Sequence, residues 1–207
     1  NEPQVYFDQD NGILWKGPLV VLIDRFSASA AEILAGAIKD YRRGVIVGPT
    51  NSFGKGTVQT YNELPFKRGA IKITISIFYQ PGGTSNQLNG IAPDIVIPDM
   101  SAIWDIGEDK TRYPLKWKKI PPAEFQPFGL VTPAIVDGLG SSSRGRVRAS
   151  AEYAKLIEKI EKFKKQMRSK VLSLREDSNA ERQQKKELEK TLKRDDQRKI
   201  MDLENDL

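Results

Sequence analysis

The strongest constraint on the fold of this chain is a run of hydrophobic patterning close to its start. Residues 18–24, Pro-Leu-Val-Val-Leu-Ile-Asp, are continuously apolar up to the aspartate, the pattern of a strand buried on both faces. Arg25-Phe26-Ser27-Ala28 turns the chain, and Ala30, Ile33, Leu34, Ala37, Ile38 and Tyr41 then recur three and four apart. That spacing predicts a helix over about residues 29–43 with this stripe buried, stopped by Arg42-Arg43-Gly44. Val45-Ile46-Val47 reads as a second buried strand. Strand, helix and strand in so few residues make a crossover unit, which joins parallel neighbours, so the expected class is α/β.

The rest of the first hundred residues adds strands. A Gly-, Ser- and Asn-rich loop spans 48–56, one strand is predicted near 57–63 and another at 70–79, with Pro65 to Gly69 as the turn. In the second, Ile71, Ile73, Ile75, Ile77 and Tyr79 alternate with Lys72, Thr74 and Ser76, predicting one buried and one wet face. Pro81 to Gly90 is a polar loop, Pro93-Asp94 a turn and Ile95-Val96-Ile97 a short closing strand. Residues 101–149 hold several prolines and no sustained period, with Ser141-Ser142-Ser143-Arg144-Gly145 resembling a flexible joint. Tyr153, Ile157, Ile160, Met167, Val171 and Leu174 mark a helical stripe from about Ser150, and Ser178 with Glu181 forms a capping box for a further helix. The expected organisation is thus a core part at 1–100, an irregular connection at 101–149 and a charged helical extension at 150–207. Residues 1–100 balance in charge, whereas the last 57 residues carry 16 basic and 13 acidic side chains, the mark of a solvated helical face.

The chain has no histidine and no cysteine. A Ser-His-Asp triad, histidine acid–base work, zincin motifs, disulfides and thiolate metal sites are excluded together. Catalysis here has to rest on Ser, Thr, Lys, Tyr or carboxylates. No apolar run approaches the ~20 residues of a spanning helix, and Asn1-Glu2-Pro3-Gln4 does not read as a signal peptide.

Two stretches carry chemistry: Ser27-Ala28-Ser29-Ala30-Ala31-Glu32-Ile33 and Gly54-Lys55-Gly56-Thr57-Val58-Gln59. The first places serines between a strand and a helix N-terminus, where small neighbours admit a substrate carbonyl and unpaired N–H groups stabilise an oxyanion. The second sets a lone lysine between glycines. A serine hydroxyl needs a base, and without histidine a neutral lysine is the available one, which requires burial in the folded site. Other readings are weaker. Gly48 to Gly56 lacks the spacing and the Ser/Thr of a phosphate loop. Asp24 and Glu32 invite a paired-acid reading, but a glutamate in a first helical turn is more simply a dipole partner. The basic surplus after residue 100 has interspersed acids and no basic-aromatic pattern, so no nucleic-acid partner is expected.

Leu22-Ile23-Asp24-Arg25-Phe26-Ser27-Ala28-Ser29-Ala30-Ala31-Glu32-Ile33 resembles the nucleophile segment of the C-terminal processing peptidases, in particular their tail-specific protease branch. Ser52-Phe53-Gly54-Lys55-Gly56-Thr57-Val58-Gln59 resembles the lysine segment of that family. Gly82-Gly83-Thr84-Ser85-Asn86-Gln87 and Gly90-Ile91-Ala92-Pro93-Asp94-Ile95 resemble its closing loop and strand. The likeness covers about residues 17–99.

The resemblance implies a serine endopeptidase with a crotonase/ClpP-like α/β core and a helical C-terminal extension. It implies Ser29 as nucleophile, Lys55 as general base, Gln59 as the residue orienting the lysine and the Ala30 N–H as one oxyanion donor, with no metal or cofactor. Residues four apart on a regular strand are ~13 Å apart, so contact between Lys55 and Gln59 requires a bend, which Gly54 and Gly56 permit. Two features depart from the family pattern: Ala31 stands at a frequent serine position, and the loop from Gly48 to Phe53 is one residue longer than usual. Implied partners are polypeptides with apolar C-terminal tails, a protein adaptor, and the N-terminal half of the protease, with its PDZ module and second oxyanion donor, which nothing in this chain matches. The implied location is the bacterial periplasm or cell envelope, and the isolated chain is expected to be inactive. The competing reading is a non-catalytic fragment or scaffold whose helical tail binds a protein partner.

Overall fold

The computed structural model describes residues 6–10 and 12–168. Residues Asn1–Phe163 form one compact unit and Lys164–Leu207 a second, of which only the end of one helix is described. In chain order the elements are β1 (Val20–Leu22), α1 (Ala30–Asp40), β2 (Val45–Gly48), β3 (Thr57–Glu63), β4 (Ala70–Ile77), β5 (Ile95–Val96), α2 (Pro133–Ala149) and α3 (Ala151–Arg168).

The expected crossover is present. β1 and β2 run parallel, with Val21 opposite Ile46, and α1 connects them. β5 joins the other side of β2, also in parallel, so the sheet order is β1–β2–β5. The core is small: Ile23, Ala35, Ile46 and Ile91, with Val21 and Ile38 packed against it. Each fully buried isoleucine contributes ~1.5–3 kcal/mol. Asp94 locks the layer from the side, accepting the Ile46 N–H at 2.8 Å and pairing with Lys39 of α1 at 2.6 Å.

Three burial expectations need correction. The run 18–24 is not buried on both faces: Val20 is 56% and Leu22 72% exposed. β1 stands at a sheet edge while α2 packs over β5, and on the side of Val20 and Leu22 the α2 and α3 residues Leu139, Val147, Tyr153 and Leu156 stand off across open pockets. α1 is shorter than expected and turned about its axis. Its buried residues are Glu32, Ala35 and Gly36, whereas Ile33 and Leu34 are exposed. The small side chains allow close approach: a Cβ on Gly36 would lie 2.3 Å from Gln80 Cδ. Tyr41 caps the helix, and the chain leaves it through Arg42 at φ 51°. Finally, β3 and β4 form a separate antiparallel hairpin whose isoleucine face stays open, with Ile71, Ile73 and Ile75 all exposed. Alternation identified the strand, but no third layer covers it among the described residues.

The connection at 101–149 is irregular only in its first part. Residues 118–131 run without helix or strand, tied by backbone bonds from Ile120 to Gly83, Ala123 to Pro81 and Phe128 to Tyr41. The stretch 141–145, expected to be a joint, lies inside α2. Thr132 caps that helix through its side chain and Pro133 occupies its first turn, both strong start signals. Of its glycines and serines only Gly140 and Ser143 are buried, whereas Gly138, Ser141, Ser142 and Gly145 are exposed. α3 follows as predicted, with Ile160 buried. Val171, Leu174 and the capping box at Ser178 and Glu181 lie outside the described residues.

Candidate active site

The chain between β1 and α1 is wound by one carboxylate. Asp24 Oδ1 accepts the N–H of Phe26 at 3.0 Å, the N–H of Ser27 at 2.8 Å and the Ser27 hydroxyl at 2.9 Å. Ser27 is therefore a turn residue. The turn delivers Ser29 to the N-cap of α1 at φ 58°, ψ −115°, a strained conformation for a residue with a Cβ, costing ~1–3 kcal/mol. Strain of this kind at a serine heading a helix marks a candidate site. The next N–H, that of Ala30, makes no hydrogen bond within the described residues, and the positive end of the helix lies there.

The lysine loop follows β2. Phe53 donates its N–H to Ser27 O at 2.9 Å, and Ser52 donates its N–H to Ile91 O at 3.1 Å. Gly54 adopts φ 95°, and a Cβ there would approach the Leu88 carbonyl carbon to 2.9 Å. On the other side of the lysine, a Cβ on Gly56 would meet Gln87 N at 2.6 Å. Both glycines are needed for the loop to lie this close to residues 87 and 88. Lys55 is half-buried, and its ammonium donates to Thr57 O at 3.1 Å.

Glu32 joins the two segments. It is 1% exposed, and its carboxylate accepts five hydrogen bonds. Oε2 takes the Ser29 N–H at 2.8 Å, the Lys55 N–H at 2.9 Å and Asn86 Nδ2 at 3.0 Å. Oε1 takes the Gly54 N–H at 2.7 Å and the Ser52 hydroxyl at 2.5 Å. Because one oxygen binds the backbone of both Ser29 and Lys55, their nitrogens are held within about two hydrogen-bond lengths of each other. Among the described residues no cation pairs with Glu32. Its charge is met by oriented N–H and O–H dipoles alone, the arrangement that lets a carboxylate be buried.

The sequence-predicted residues are thus only partly assembled. Ser29, Ala30 and the Lys55 backbone converge. The side chains of Ser29 and Lys55 are not joined by a hydrogen bond, and Gln59 lies exposed on β3 with Nε2 3.4 Å from Thr74 Oγ1. A register shift at Val58/Gln59 bends the strand at that point. Sequence reasoning passed over Glu32 as a dipole partner and did not single out Ser52 or Asn86. The pattern Ser29-x-x-Glu32, a capping box, was the available signal. At the surface, bonding and charge from Asp105 raise the Lys110 ammonium above the usual lysine range, and bonding and charge from Lys162 lower Glu158.

A strained serine at a helix start, roped to a glycine-flanked lysine, defines a candidate hydrolase site, and comparison with known proteins gives the family. Peptidase family S41 matches residues 1–97, and the C-terminal domain of tail specific protease matches residues 103–207. The chain belongs to the S41 peptidases, in their tail-specific branch. The tail-specific protease of Haemophilus influenzae is 35% identical over 217 residues, which is 98% of this chain and 31% of that protein. The carboxy-terminal-processing protease of Bartonella bacilliformis is 46% identical over 108 residues, 49% of this chain and 24% of that protein. Among solved structures, the photosystem II D1 C-terminal processing protease is 40% identical, covering 40% of this chain and 21% of that one with a TM-score of 0.37. The chain therefore spans about a third or less of the length of these relatives.

Proposed function

We propose that this chain is the C-terminal part of a serine endopeptidase that cleaves proteins selected by their C-terminal tails, with Ser29 as nucleophile and Lys55 as general base. The observation that carries the reading is the shared Glu32 oxygen, which fixes the backbone of Ser29 and Lys55 beside each other. In the reaction, the Lys55 amine takes the Ser29 hydroxyl proton as Oγ adds to the scissile carbonyl, then passes it to the leaving amine. Water deacylates the serine by the same route. The Ala30 N–H donates to the developing oxyanion. For this the Lys55 side chain leaves Thr57 O and turns to Ser29, and Gln59 orients it across the bend at Val58/Gln59.

Residues 1–100 belong, in this reading, to a crotonase/ClpP-like core, 101–149 to a connection and 150–207 to a helical extension. The change of family match between residues 97 and 103 supports the first boundary. The unpaired edge of β1 and its exposed Val20 and Leu22 support further core residues packing there, and in this reading the N-terminal half brings the PDZ module and the second oxyanion donor. Substrates are polypeptides with apolar tails, a protein adaptor is a further partner, and the location is the bacterial periplasm or cell envelope, for which the relatives in Haemophilus influenzae and Bartonella bacilliformis support the bacterial part alone. The test is turnover of an unfolded protein with an apolar C-terminus by the full-length protease. Ser29→Ala and Lys55→Arg should each abolish cleavage with folding intact, the latter because a guanidinium stays protonated. Wild-type turnover by either variant would overturn the assignment.

A further inference from the structure

The lysine loop is gripped from a second side, by a segment that the catalytic reading does not use. Residues 106–115 fall within the C-terminal-domain match, outside the peptidase match, yet they bond to the loop on both flanks of Lys55. On the near flank, the Glu108 N–H donates to Phe53 O at 3.0 Å. On the far flank the link passes through Gln87, which is wholly buried. Gln87 Oε1 accepts the Gly56 N–H at 2.8 Å, while its Nε2 donates to Glu108 Oε1 at 3.1 Å and to Leu115 O at 3.2 Å. Arg25, from the turn that leads to Ser29, ties the same parts. It donates to Ser52 O at 2.9 Å and to Ile106 O, and pairs with Asp109 at 3.2 Å. The segment makes room for that guanidinium with Gly107, where a Cβ would lie 2.4 Å from Arg25 Nη2.

We propose that residues 106–115 are a strap by which the C-terminal domain sets the position of Lys55, with Glu108 as the positioning residue acting through Gln87. The proposal rests on Lys55 being the general base. Glu32 anchors the loop from the helix side, and the strap closes it from the opposite side. Without the strap, Gly54 and Gly56 leave the lysine on a segment with two backbone swivels. A displacement of an ångström at a catalytic group reduces the chemical step by ~10²-fold, whereas substrate binding by the tail is untouched. The strap thus makes the C-terminal domain part of the catalytic geometry.

The test uses the full-length protease and separates kcat from KM. Glu108→Ala should lower kcat by ~10–100-fold and leave KM within about twofold. Glu108→Gln, whose amide oxygen still accepts from Gln87, should restore most of the rate. Glu108→Ala added to Gln87→Ala should cost little more than Gln87→Ala alone, because the Glu108 side chain acts through Gln87. If Glu108→Ala does not fold, Glu108→Asp, one methylene shorter, is read in the same way. A lower thermal midpoint with kcat unchanged, a raised KM at unchanged kcat, or Glu108→Gln as impaired as Glu108→Ala would overturn the strap. Lys55→Arg is run alongside. Turnover by that variant would remove the base assignment itself, whereas an inactive Lys55→Arg beside a fully active Glu108→Ala would refute the strap alone.

Discussion

Replacing Glu32 by glutamine removes one oxygen and one charge from the centre of the site with almost no change of shape. The best orientation keeps the amide oxygen at the Oε2 position, where it still meets the Ser29, Lys55 and Asn86 donors. The new NH2 then faces the Gly54 N–H and the Ser52 hydroxyl. The hydroxyl can rotate to accept, although it also receives the Ile91 N–H at 2.7 Å. The Gly54 N–H has no acceptor left. One buried donor without a partner costs ~1–3 kcal/mol, and loss of charge assistance at the three remaining bonds brings the total to about 3–4 kcal/mol. Relief of the buried charge offsets little, because the pocket offers five donors and the new group is itself a donor. Against a typical total stability of ~5–15 kcal/mol this is a large fraction. Urea unfolding of the chain, followed by the fluorescence of its 3 tryptophans, should show the midpoint falling by about 1–2 M for an m-value of ~2 kcal/mol/M. Near the midpoint of the wild type, Glu32→Gln would be unfolded. An unchanged midpoint would mean that the carboxylate is not the acceptor for these five groups, and the hub would be refuted.

Three further outcomes follow from the same geometry. Ser27→Ala removes both bonds of its hydroxyl to Asp24, one donated to Oδ1 and one accepted from the N–H, and should cost ~1–3 kcal/mol while leaving cleavage by the full-length protease intact; loss of cleavage there would shift the nucleophile register. Gly54→Ala combines φ 95° with a Cβ 2.9 Å from the Leu88 carbonyl carbon and should destabilise the chain by ~1–3 kcal/mol in the same urea assay, whereas Gly69→Ala, where a Cβ meets nothing within 4 Å, should cost only its positive-φ strain. If the second oxyanion donor comes from the N-terminal half, as proposed, purified residues 1–207 alone should cleave little or nothing, since loss of one such donor costs ~10²–10³-fold, and that half supplied in trans should restore turnover.

What the sequence disclosed was local. The crossover from β1 to β2 was legible because a helix between two apolar runs has few alternatives. β3 begins at Thr57 and ends at Glu63, as read, because Gly56 and Pro65 punctuate it. Burial was less legible, because it depends on what covers an element. The isoleucines of β4 and the outer side of β1 carry the pattern of a covered face and are open among the described residues. α2 was hidden by its own composition: Ser141-Ser142-Ser143-Arg144-Gly145 is rich in poor helix formers and reads as a joint, while the start signals Thr132 and Pro133 lie well before it. In the candidate site, motif singled out Ser29 and Lys55, the residues of the proposed dyad. Glu32 read only as a helix-dipole partner because its burial depends on residues 52–55 and 86, which reach it only after the chain has folded back. The link through Gln87 to Glu108 is non-local in the same sense, and no spacing rule announces it.

The central claim is that Ser29 is a nucleophile activated by Lys55, and covalent labelling tests it most directly. The N-terminal half is supplied, the protein is exposed to a fluorophosphonate probe, and the adduct is located by peptide mass. The account predicts one adduct, on Ser29, absent from Ser29→Ala and from Lys55→Arg. Labelling of another serine, or of Ser29 at an undiminished rate in Lys55→Arg, would contradict it.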